Sequence, residues 1–317
     1  MNDIKITVLM PCYNAAEYIG NAIQSVITQT FRDFEFIIIN DGSTDNSVEL
    51  IKSFSDERIV LLEQKQQGVA AALNNGLKHA RANLIARFDA DDLCFSDRLE
   101  KQYQFMNSNP ECIVVGSAAD YIDVSGNYVF TQLPQVKTNE EIQSLSFQVC
   151  PFIHASVLYR KDFIAAIGYN INAHSFEDHL LWLQLRGKGK MYNMPEPLIC
   201  VRLNPGSLTM DERKRTKNFH SIKIRALKIK HIGSDDGDKL LSIINRQNNS
   251  KNKIGAYYSL LAKKFLWNNY NPDKARYNMK KALRLNSFDI KDYMLWIISY
   301  LPKNMINNLY SIFISSK

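Results

Sequence analysis

Four short apolar segments alternate with three amphipathic segments between residues 6 and 86, and this alternation constrains the fold more than any other feature. The apolar segments predict strands at 6–11, 34–40, 58–62 and 83–86, and the segments between them predict helices at 15–30, 48–54 and 68–80. Strands that alternate with helices in this way are typical of a parallel sheet with helices on its faces. We therefore predict an α/β fold that binds ligands at the carboxyl ends of its strands.

An acidic cluster follows the fourth predicted strand, and it reads Asp89-Ala90-Asp91-Asp92. Carboxylates this close together repel, and each raises the pKa of its neighbours. A divalent cation would relieve the repulsion. Carboxylate oxygens suit Mg²⁺ or Mn²⁺, and such ions usually keep open positions for phosphate oxygens. The alternative is that these acids only precede a helix that begins near residue 95.

Two further polar segments follow strands of the same predicted sheet. Tyr13 and Asn14 come after the first strand, and Asp41 comes after the second. Parallel strands place their carboxyl ends at one edge of the sheet. We therefore expect these residues to lie near the acidic cluster.

Residues 95–202 continue the mixture of helices and strands. The pattern predicts helices at 95–107, 161–167 and 176–185, strands at 112–116, 155–160 and 198–202, and a pair of strands within 121–133. All of these segments are short, as in the first part of the chain, so we assign them to the same α/β fold.

The composition is that of a soluble globular protein. The 317 residues are 45% hydrophobic and 22% charged, which fits one large or two smaller domains. Five cysteines, none in a CxxC pair, argue against a disulfide framework or a zinc site and fit a reducing cytosol. We recognise neither a signal peptide nor an apolar run long enough to span a bilayer, so a cytoplasmic location is expected.

Charge is divided unevenly along the chain. The net charge of +7 combines an acidic part, residues 1–210, with a strongly basic part, residues 211–317. We predict two domains that meet at this point. In the basic part we expect helices at 211–230, 239–247, 253–269 and 272–286, a break at 234–238, and an apolar, aromatic stretch at 290–314. A basic module attracts anionic surfaces such as lipid head groups or nucleic acid.

Five motifs, taken together, resemble those of glycosyltransferase family 2. In chain order they are Met10-Pro11-Cys12-Tyr13-Asn14, Asp41-Gly42-Ser43-Thr44-Asp45, Gly68-Val69-Ala70-Ala71-Ala72-Leu73-Asn74-Asn75-Gly76, Asp89-Ala90-Asp91-Asp92 and Glu177-Asp178. Each motif alone has low specificity, but their order and spacing agree across residues 4–208. The resemblance does not cover the basic C-terminal region.

The resemblance implies a GT-A fold, which is a Rossmann-like, mixed but mostly parallel sheet flanked by helices. Residues 1–210 would then be the catalytic domain and residues 211–317 a basic helical region. The implied activity is that of a metal-dependent, inverting glycosyltransferase of hexosyltransferase type. Such an enzyme moves a sugar from a nucleoside-diphosphate sugar, here expected to be a UDP-sugar, to an acceptor hydroxyl.

The resemblance assigns donor binding to Pro11, Tyr13, Asn14, Asp41, Asn74 and Asp89. Tyr13 and Asn14 would border the nucleobase. Asp41 would accept a hydrogen bond from a base N–H, which suits uracil or thymine better than adenine. Its alternative is a purely structural role in a turn.

For the metal, the resemblance implies that Asp91 holds Mn²⁺ or Mg²⁺ on the diphosphate, with Asp89 as a second ligand near the ribose. The cation would stabilise the charge of the departing nucleoside diphosphate. One departure concerns the third motif, where many relatives have Arg before the Asn and this chain has Leu73. Lys65 is a candidate replacement for that cation.

Inversion, which the resemblance implies, requires a base on the face opposite the leaving group. We assign this role to Asp178, with Glu177 as its rival, because both open an aromatic-rich predicted helix. The base must come within hydrogen-bond reach of the acceptor hydroxyl. The alternative is that both acids only complement the dipole of that helix.

Three residues are weaker candidates for contact with the acceptor or the diphosphate, namely His154, Arg202 and Trp182. Each has a structural alternative: a hydrogen-bonded histidine, a paired arginine, and a tryptophan in the core.

The expected pathway is the synthesis of a cell-surface polysaccharide or glycolipid, with a glycan or lipid-linked glycan as acceptor. The basic helices and the apolar stretch 290–314 would suit the inner face of the cell membrane. Docking of that stretch onto the catalytic domain is an equal alternative.

Two other classes of protein share some of these sequence features. A nucleotidyltransferase also uses an acidic metal site on an α/β sheet, but it usually has a Gly-rich loop after the first strand, which is absent here. A non-catalytic anion- or nucleic-acid-binding protein would depend on the basic tail. Aromatic residues there recur at helical spacing and not on an exposed sheet, so no nucleic-acid partner is expected.

Overall fold

The computed structural model describes residues 4–207, 210, 212–285 and 290–315. The chain forms two compact units that alternate along the sequence. The first comprises residues 1–120, 131–201 and 218–241, and the second comprises residues 121–130, 202–217 and 242–317. The division at residue 210 into a catalytic domain and a basic region remains a prediction.

Within the described residues, nine strands form one sheet in the order β3-β2-β1-β4-β8-β6-β9-β5, with β7 beside β6. The strands are β1 (Ile6–Cys12), β2 (Phe34–Asn40), β3 (Ile59–Glu63), β4 (Leu84–Arg87), β5 (Leu93–Cys94), β6 (Cys112–Ile122), β7 (Tyr128–Gln132), β8 (Leu158–Arg160) and β9 (Lys190–Arg202).

The helices flank this sheet in the first unit and dominate the second. They are α1 (Ile19–Ile27), α2 (Ser47–Lys52), α3 (Val69–His79), α4 (Arg98–Ser108), α5 (Asn139–Leu145), α6 (Lys161–Ala165), α7 (Glu177–Leu185), α8 (Lys217–Ile229), α9 (Ser234–Gln247), α10 (Ser250–Trp267), α11 (Pro272–Leu285), α12 (Ile290–Ile298) and α13 (Lys303–Ser315). Short 3-10 turns cover His154–Ser156 and Glu212–Lys214.

Strand register sets the edge at which the polar residues gather. β1 lies between β2 and β4 and is parallel to both. Cys12 lies opposite Asn40, so the loops that follow β1 and β2 start at the same level. β8 is antiparallel to both β4 and β6, so β6 runs in the same direction as β4. The predicted α/β class with a mixed, mostly parallel sheet is confirmed.

Close packing of α3 against the sheet depends on small residues. Every residue of β2 is buried, as expected for a strand covered on both faces. On α3, Ala72 and Leu73 are fully buried, and a Cβ atom added to Gly76 would lie 2.8 Å from Ile39 Cδ1. Only glycine therefore allows this approach without displacing Ile39.

The second unit has its own core. Tyr257 and Phe265 of α10 are buried together with Phe130 from the middle of β7, and α12 contributes Leu295 and Ile298 at its margin. The other side of α12 is exposed, since Ile297 is 66% accessible. In the described part of the chain, no helix is both long and apolar enough to cross a membrane.

Three boundaries predicted from the sequence are wrong. The expected break at 234–238 is the first turn of α9, where Asp235 and Asp236 complement the helix dipole and Asp236 forms an ion pair with Arg225. Strand β9 begins at Lys190 instead of residue 198. The predicted helix 211–230 is shorter, because α8 starts at Lys217. Residues 211 and 286, where two predicted helices begin or end, and residue 208, where the family resemblance ends, lie outside the described residues.

Candidate active site

The loops after β1 and β2 are joined by hydrogen bonds. Asn14 adopts a positive φ of 49°. Its backbone N–H donates to Ser43 Oγ at 3.0 Å, and its side-chain Oδ1 accepts from the backbone N–H of Thr44 at 2.8 Å. Tyr13 is left 45% exposed beside this junction. The phenol is therefore accessible at the edge where the nucleobase was predicted.

Asp41 is buried and organises the loop that precedes α3. Its Oδ1 accepts from Gln64 Nε2 at 2.7 Å and from the backbone N–H of Gln67 at 2.8 Å, and its Oδ2 accepts from the backbone N–H of Gly68 at 2.7 Å. An ionised carboxylate has about four acceptor positions. The protein fills three of them, which leaves one position for a further donor.

At the end of β4, Arg87 forms an ion pair with Asp89, although only 5% of the Arg87 side chain is exposed. A second buried arginine holds the end of β4, because Arg98 Nη2 donates to the carbonyl oxygen of Arg87 at 2.8 Å. The backbone N–H of Phe88 donates to the carbonyl of Leu9 at 2.9 Å. The acidic cluster thus starts from a rigid strand end.

Glu177 and Asp178 lie in the first turn of α7. Burial, followed by the charge of Asp178, raises the pKa of Glu177 to about 7. The charges of Arg87 and Asp89 also act on this carboxyl, Arg87 lowering its pKa and Asp89 raising it. The acids of α7 and the acidic cluster after β4 therefore lie close enough to interact.

Asp178 is less enclosed than Glu177. Its Oδ1 accepts from the backbone N–H of His179 at 2.7 Å, and the thiol of Cys150 donates to its Oδ2 at 3.6 Å. The second contact is long, as expected for a weak S–H donor. The Asp178 carboxylate is the better placed of the two acids to meet a substrate hydroxyl.

An aromatic cluster surrounds His154. His154 Nε2 is 3.1 Å from Tyr169 Oη, and the His154 ring meets Trp182 edge-on at 6.0 Å. Removal from water and the nearby Arg87 lower the pKa of His154 well below its usual value, so the imidazole is neutral at pH 7. Trp182 is fully buried and packs edge-on against Phe152 at 5.1 Å. Its surroundings are those of a core residue, so we do not assign it to sugar stacking.

Three other predicted residues have structural partners. Pro11 pairs with Ile39 in the parallel β1–β2 register. The side chain of Asn74 binds the backbone of Tyr169 through both its oxygen and its nitrogen. Arg202 belongs to the second unit, where its Nη1 donates to the carbonyl oxygens of Asp123 and Val124 at 3.1 and 3.2 Å. Donor or acceptor contacts by these residues stay predictions.

Two carboxylates in the acidic cluster fit a divalent ion. Among the described residues, no three His, Cys, Asp or Glu side chains are gathered as a metal cluster. Mg²⁺ bound with a nucleotide usually takes only one or two carboxylates and completes its shell with phosphate oxygens and water. Asp91 is partly exposed and the Asp89 side chain is 36% exposed, so both can reach such an ion.

Sequence reasoning gave no role to Arg87, Cys150 or Lys223. Arg87 stands next to the acids in the sequence, and that adjacency was the available signal. Cys150 lies 28 residues from its partner Asp178, so no local pattern links them. Lys223 of the basic helix α8 places its ammonium 5.6 Å from the ring centroid of Phe176, directly before α7. The basic segment therefore supplies a cation near the candidate base.

Comparison with solved structures identifies the fold as GT-A. Staphylococcus aureus TarS in complex with UDP-GlcNAc superposes with a TM-score of 0.59 at 14% identity, covering 97% of this chain and 91% of the TarS fragment. A mannosyltransferase from Pyrobaculum calidifontis, in complex with GDP-Man and Mn²⁺, superposes with a TM-score of 0.54 at 16% identity, covering 98% of this chain and 85% of that protein.

The sequence pattern of glycosyl transferase family 2 matches residues 7–168, just over half of the chain. The chain belongs to this family, as the five motifs predicted. An uncharacterized glycosyltransferase of Rickettsia conorii is 33% identical over 216 residues, which are 68% of this chain but 35% of that protein. The amylovoran biosynthesis glycosyltransferase AmsE of Erwinia amylovora is 29% identical over 230 residues, which are 71% of this chain and 85% of AmsE.

Proposed function

We propose that this chain transfers a sugar from a nucleoside-diphosphate sugar, with UDP as the preferred nucleotide, to an acceptor hydroxyl with inversion at the anomeric carbon. One observation carries the proposal. Glu177 at the start of α7 is held within electrostatic range of Arg87 and Asp89 at the end of β4. This contact supports a site in which Asp89 would bind the donor and an acid of α7 would serve as base, although the two segments are far apart in the chain.

The nucleoside would bind across the loops that follow β1 and β2. Tyr13 presents an accessible ring against which a base can stack. The remaining acceptor position of Asp41 would receive the N–H of uracil. Adenine lacks a ring N–H at its Watson–Crick edge, so a uracil nucleotide is the better partner.

A divalent ion, Mn²⁺ or Mg²⁺, would be held by Asp91 and Asp89. When bound, it stabilises the charge that develops on the leaving diphosphate. Arg87 keeps Asp89 in a fixed orientation, and the buried Arg98 holds the Arg87 backbone in turn. The chain would thus present Asp89 and Asp91 to the ion from a strand end that is held by these contacts.

Asp178 would act as the general base. Its carboxylate is partly exposed, whereas Glu177 is 8% exposed and has a pKa raised to about 7. The raised pKa of Glu177 favours its protonated form over that of an ordinary carboxyl, which would limit the negative charge at the site and leave Asp178 to accept the proton of the acceptor hydroxyl. The name of AmsE supports a place for this reaction in polysaccharide synthesis.

Association with a membrane surface is a further part of the proposal. It rests on the basic composition of residues 211–317 and on the exposed side of α12, where Met294 is 53% and Ile297 is 66% accessible. In a co-sedimentation assay at low salt, the protein should pellet with anionic vesicles. Replacement of Ile297 by Ser should release it, and equal binding by the variant would contradict this part.

A thermal-shift panel of nucleoside diphosphates, each with Mn²⁺ and with a chelator, tests donor binding. A ligand that binds the folded state at about 100 times its dissociation constant stabilises it by about 2.7 kcal/mol. We expect UDP to raise the melting temperature in the presence of Mn²⁺ and to lose most of that effect with the chelator. A folded sample that responds to no diphosphate would contradict the proposal.

A further inference from the structure

A cavity of about 270 Å³ lies in the first unit, beside the candidate base. Its polar lining includes Ser117, Gln132, Gln135, Cys150 and Asn193, and Phe152 contributes an aromatic surface. The five motifs assign no residue of this lining, and the family pattern ends before Asn193. The volume is slightly below the range of about 300–1,000 Å³ found for drug-sized ligands, so it suits one sugar ring.

Strand register shows that the cavity opens at the same edge of the sheet as the acidic cluster. Leu158 of β8 pairs with Ala86 of β4 on one side and with Val115 of β6 on the other. Ser117, two residues further along β6, therefore lies level with Phe88, directly before Asp89. Two strand spacings separate β4 from β6, which is about 10 Å.

The contacts of Cys150 place the cavity next to the candidate base. Cys150 lines the cavity, and its thiol is 3.6 Å from Asp178 Oδ2. A group seated in the cavity is thus separated from the carboxylate of Asp178 by one side chain. A general base must lie within hydrogen-bond reach of the hydroxyl it deprotonates. A ring seated in the cavity would therefore reach Asp178 only with a hydroxyl that extends past the side chain of Cys150.

Asn193 is held in a fixed position at the cavity wall. The residue is 6% exposed, and its Nδ2 donates to the carbonyl oxygens of Val136 and Pro151, each at 2.8 Å. Its Oδ1 has no hydrogen-bond partner within the described chain. That oxygen lies against Gly116, where an added Cβ would be only 2.3 Å from it, so Asn193 shapes the cavity wall through its two Nδ2 hydrogen bonds.

The lining favours an uncharged saccharide. Among the described residues that line the cavity, none carries a charge. Hydroxyl and amide groups suit sugar hydroxyls, and Phe152 with the neighbouring prolines suits the apolar face of a ring. Resting on the proposed function, we propose that this cavity is the acceptor subsite and binds one uncharged glycosyl unit of the acceptor.

Filling the cavity tests this proposal. Gln135 is an exposed residue of the lining, so Gln135→Trp adds bulk at the cavity with little demand on the core. Leu133→Trp adds the same ring two residues away, at a side chain that is 57% exposed and outside the lining, and serves as the matched control. The probes are methyl glycosides of neutral hexoses and N-acetylhexosamines, with a methyl uronide for comparison, observed by saturation-transfer NMR.

We expect at least one neutral glycoside to bind the wild type and the Leu133→Trp variant. Gln135→Trp should raise its dissociation constant by about tenfold or more, because the indole would occupy part of the volume that the glycoside fills. The shift of melting temperature by UDP and Mn²⁺ should be the same in all three proteins. Unchanged glycoside binding by Gln135→Trp would overturn the proposal, as would binding of the uronide alone or of no glycoside.

The two proposals fail in different ways. Loss of the UDP response in the wild type would remove the proposed function and, with it, the acceptor assignment. A wild type that responds to UDP while its glycoside binding is insensitive to Gln135→Trp would overturn the acceptor subsite only.

Discussion

The side-chain amide of Asn74 binds both backbone polar groups of Tyr169. Nδ2 donates to the Tyr169 carbonyl oxygen at 2.8 Å, and Oδ1 accepts from the Tyr169 N–H at 2.8 Å. These residues are 95 positions apart. Tyr169 in turn meets His154, which packs on Trp182 of α7. The third sequence motif is thereby connected to the helix that carries the candidate base.

We expect Asn74→Ala to lower the free energy of unfolding by about 2 kcal/mol, because two backbone groups of the buried Tyr169 lose their partners. Urea denaturation measures this difference. Asn107→Ala, at an exposed position of α4, is the control and should change stability by less than about 0.5 kcal/mol. If Asn74→Ala had normal stability but no UDP response, Asn74 would act on the donor instead.

Replacement of Asp178 by Asn should lower sugar transfer by about 10²–10⁴-fold, the usual contribution of a general base. Donor binding should survive, which a UDP titration in Mn²⁺ would verify. Asp162→Asn, an exposed change of the same kind on α6, should keep normal turnover. Near-normal turnover by Asp178→Asn would mean that another group, with Glu177 as the first candidate, removes the proton.

The raised pKa of Glu177 predicts a pH-dependent stability. The folded protein holds this proton up to about pH 7, whereas the unfolded chain releases it near 4.5. The wild type therefore loses stability as the pH rises from 4.5 to 7, by up to about 3 kcal/mol. Glu177→Gln cannot ionise, so its stability relative to the wild type should increase over this range.

Chemical denaturation at pH 5 and pH 8 measures that difference. Glu57→Gln makes the same chemical change at an exposed position and serves as the control for replacing a glutamate elsewhere in the protein. An equal difference between Glu177→Gln and the wild type at both pH values would show that the pKa of Glu177 is not raised.

Arg87 and Asp89 should be energetically coupled. Removing one member of a buried ion pair costs about 3–5 kcal/mol, but the 36% exposure of Asp89 reduces this, so we expect about 2 kcal/mol for Arg87→Met. Adding Asp89→Asn to Arg87→Met should restore part of the loss, since no unpaired carboxylate remains. Strictly additive effects in this double-mutant cycle would argue against a functional pair.

Asp91→Ala should weaken binding of UDP in Mn²⁺ by about tenfold or more, because a metal-bridged donor loses a ligand. Binding in chelator should be unaffected by the change. Isothermal titration of UDP with Mn²⁺ and with chelator separates the metal-dependent part of the affinity from the metal-independent part. Asp97→Ala, an acid at the start of α4 that pairs with Lys101 on the surface, is the control. If Asp91→Ala and Asp97→Ala lost UDP affinity equally, the effect would come from the loss of any negative charge and not from the loss of a metal ligand.

The alternation of strands and helices was sufficient to predict β1 to β4 and the edge of the sheet at which the polar residues gather. Those strands are short apolar runs with clear turn residues between them, so local patterns determine them. Strand β9 was predicted only in part, because Pro195 and Pro197 fall inside it and proline usually marks the end of a strand. The acids 235 and 236 were read as a break, although acids are equally favourable in a first helical turn.

The candidate site was predictable wherever a motif carried it. The contacts of Cys150 with Asp178 and of Asn74 with Tyr169 join distant segments, and only the folded chain brings them together. The cavity beside Asp178 has no sequence signature, since its lining comes from β6, β7, β9 and the loop before β8. Tertiary contacts of this kind cannot be predicted from local sequence patterns or from the spacing of motifs.

The most direct test of the central claim is the anomeric configuration of the sugar first released from a donor. Proton NMR can follow Mn²⁺-dependent hydrolysis of a panel of α-linked UDP-sugars before the product equilibrates in solution. The proposed mechanism predicts that one donor is consumed and that the β-anomer appears first, with Asp178→Asn inactive under the same conditions. Initial release of the α-anomer, or no consumption of any donor by folded protein, would contradict it.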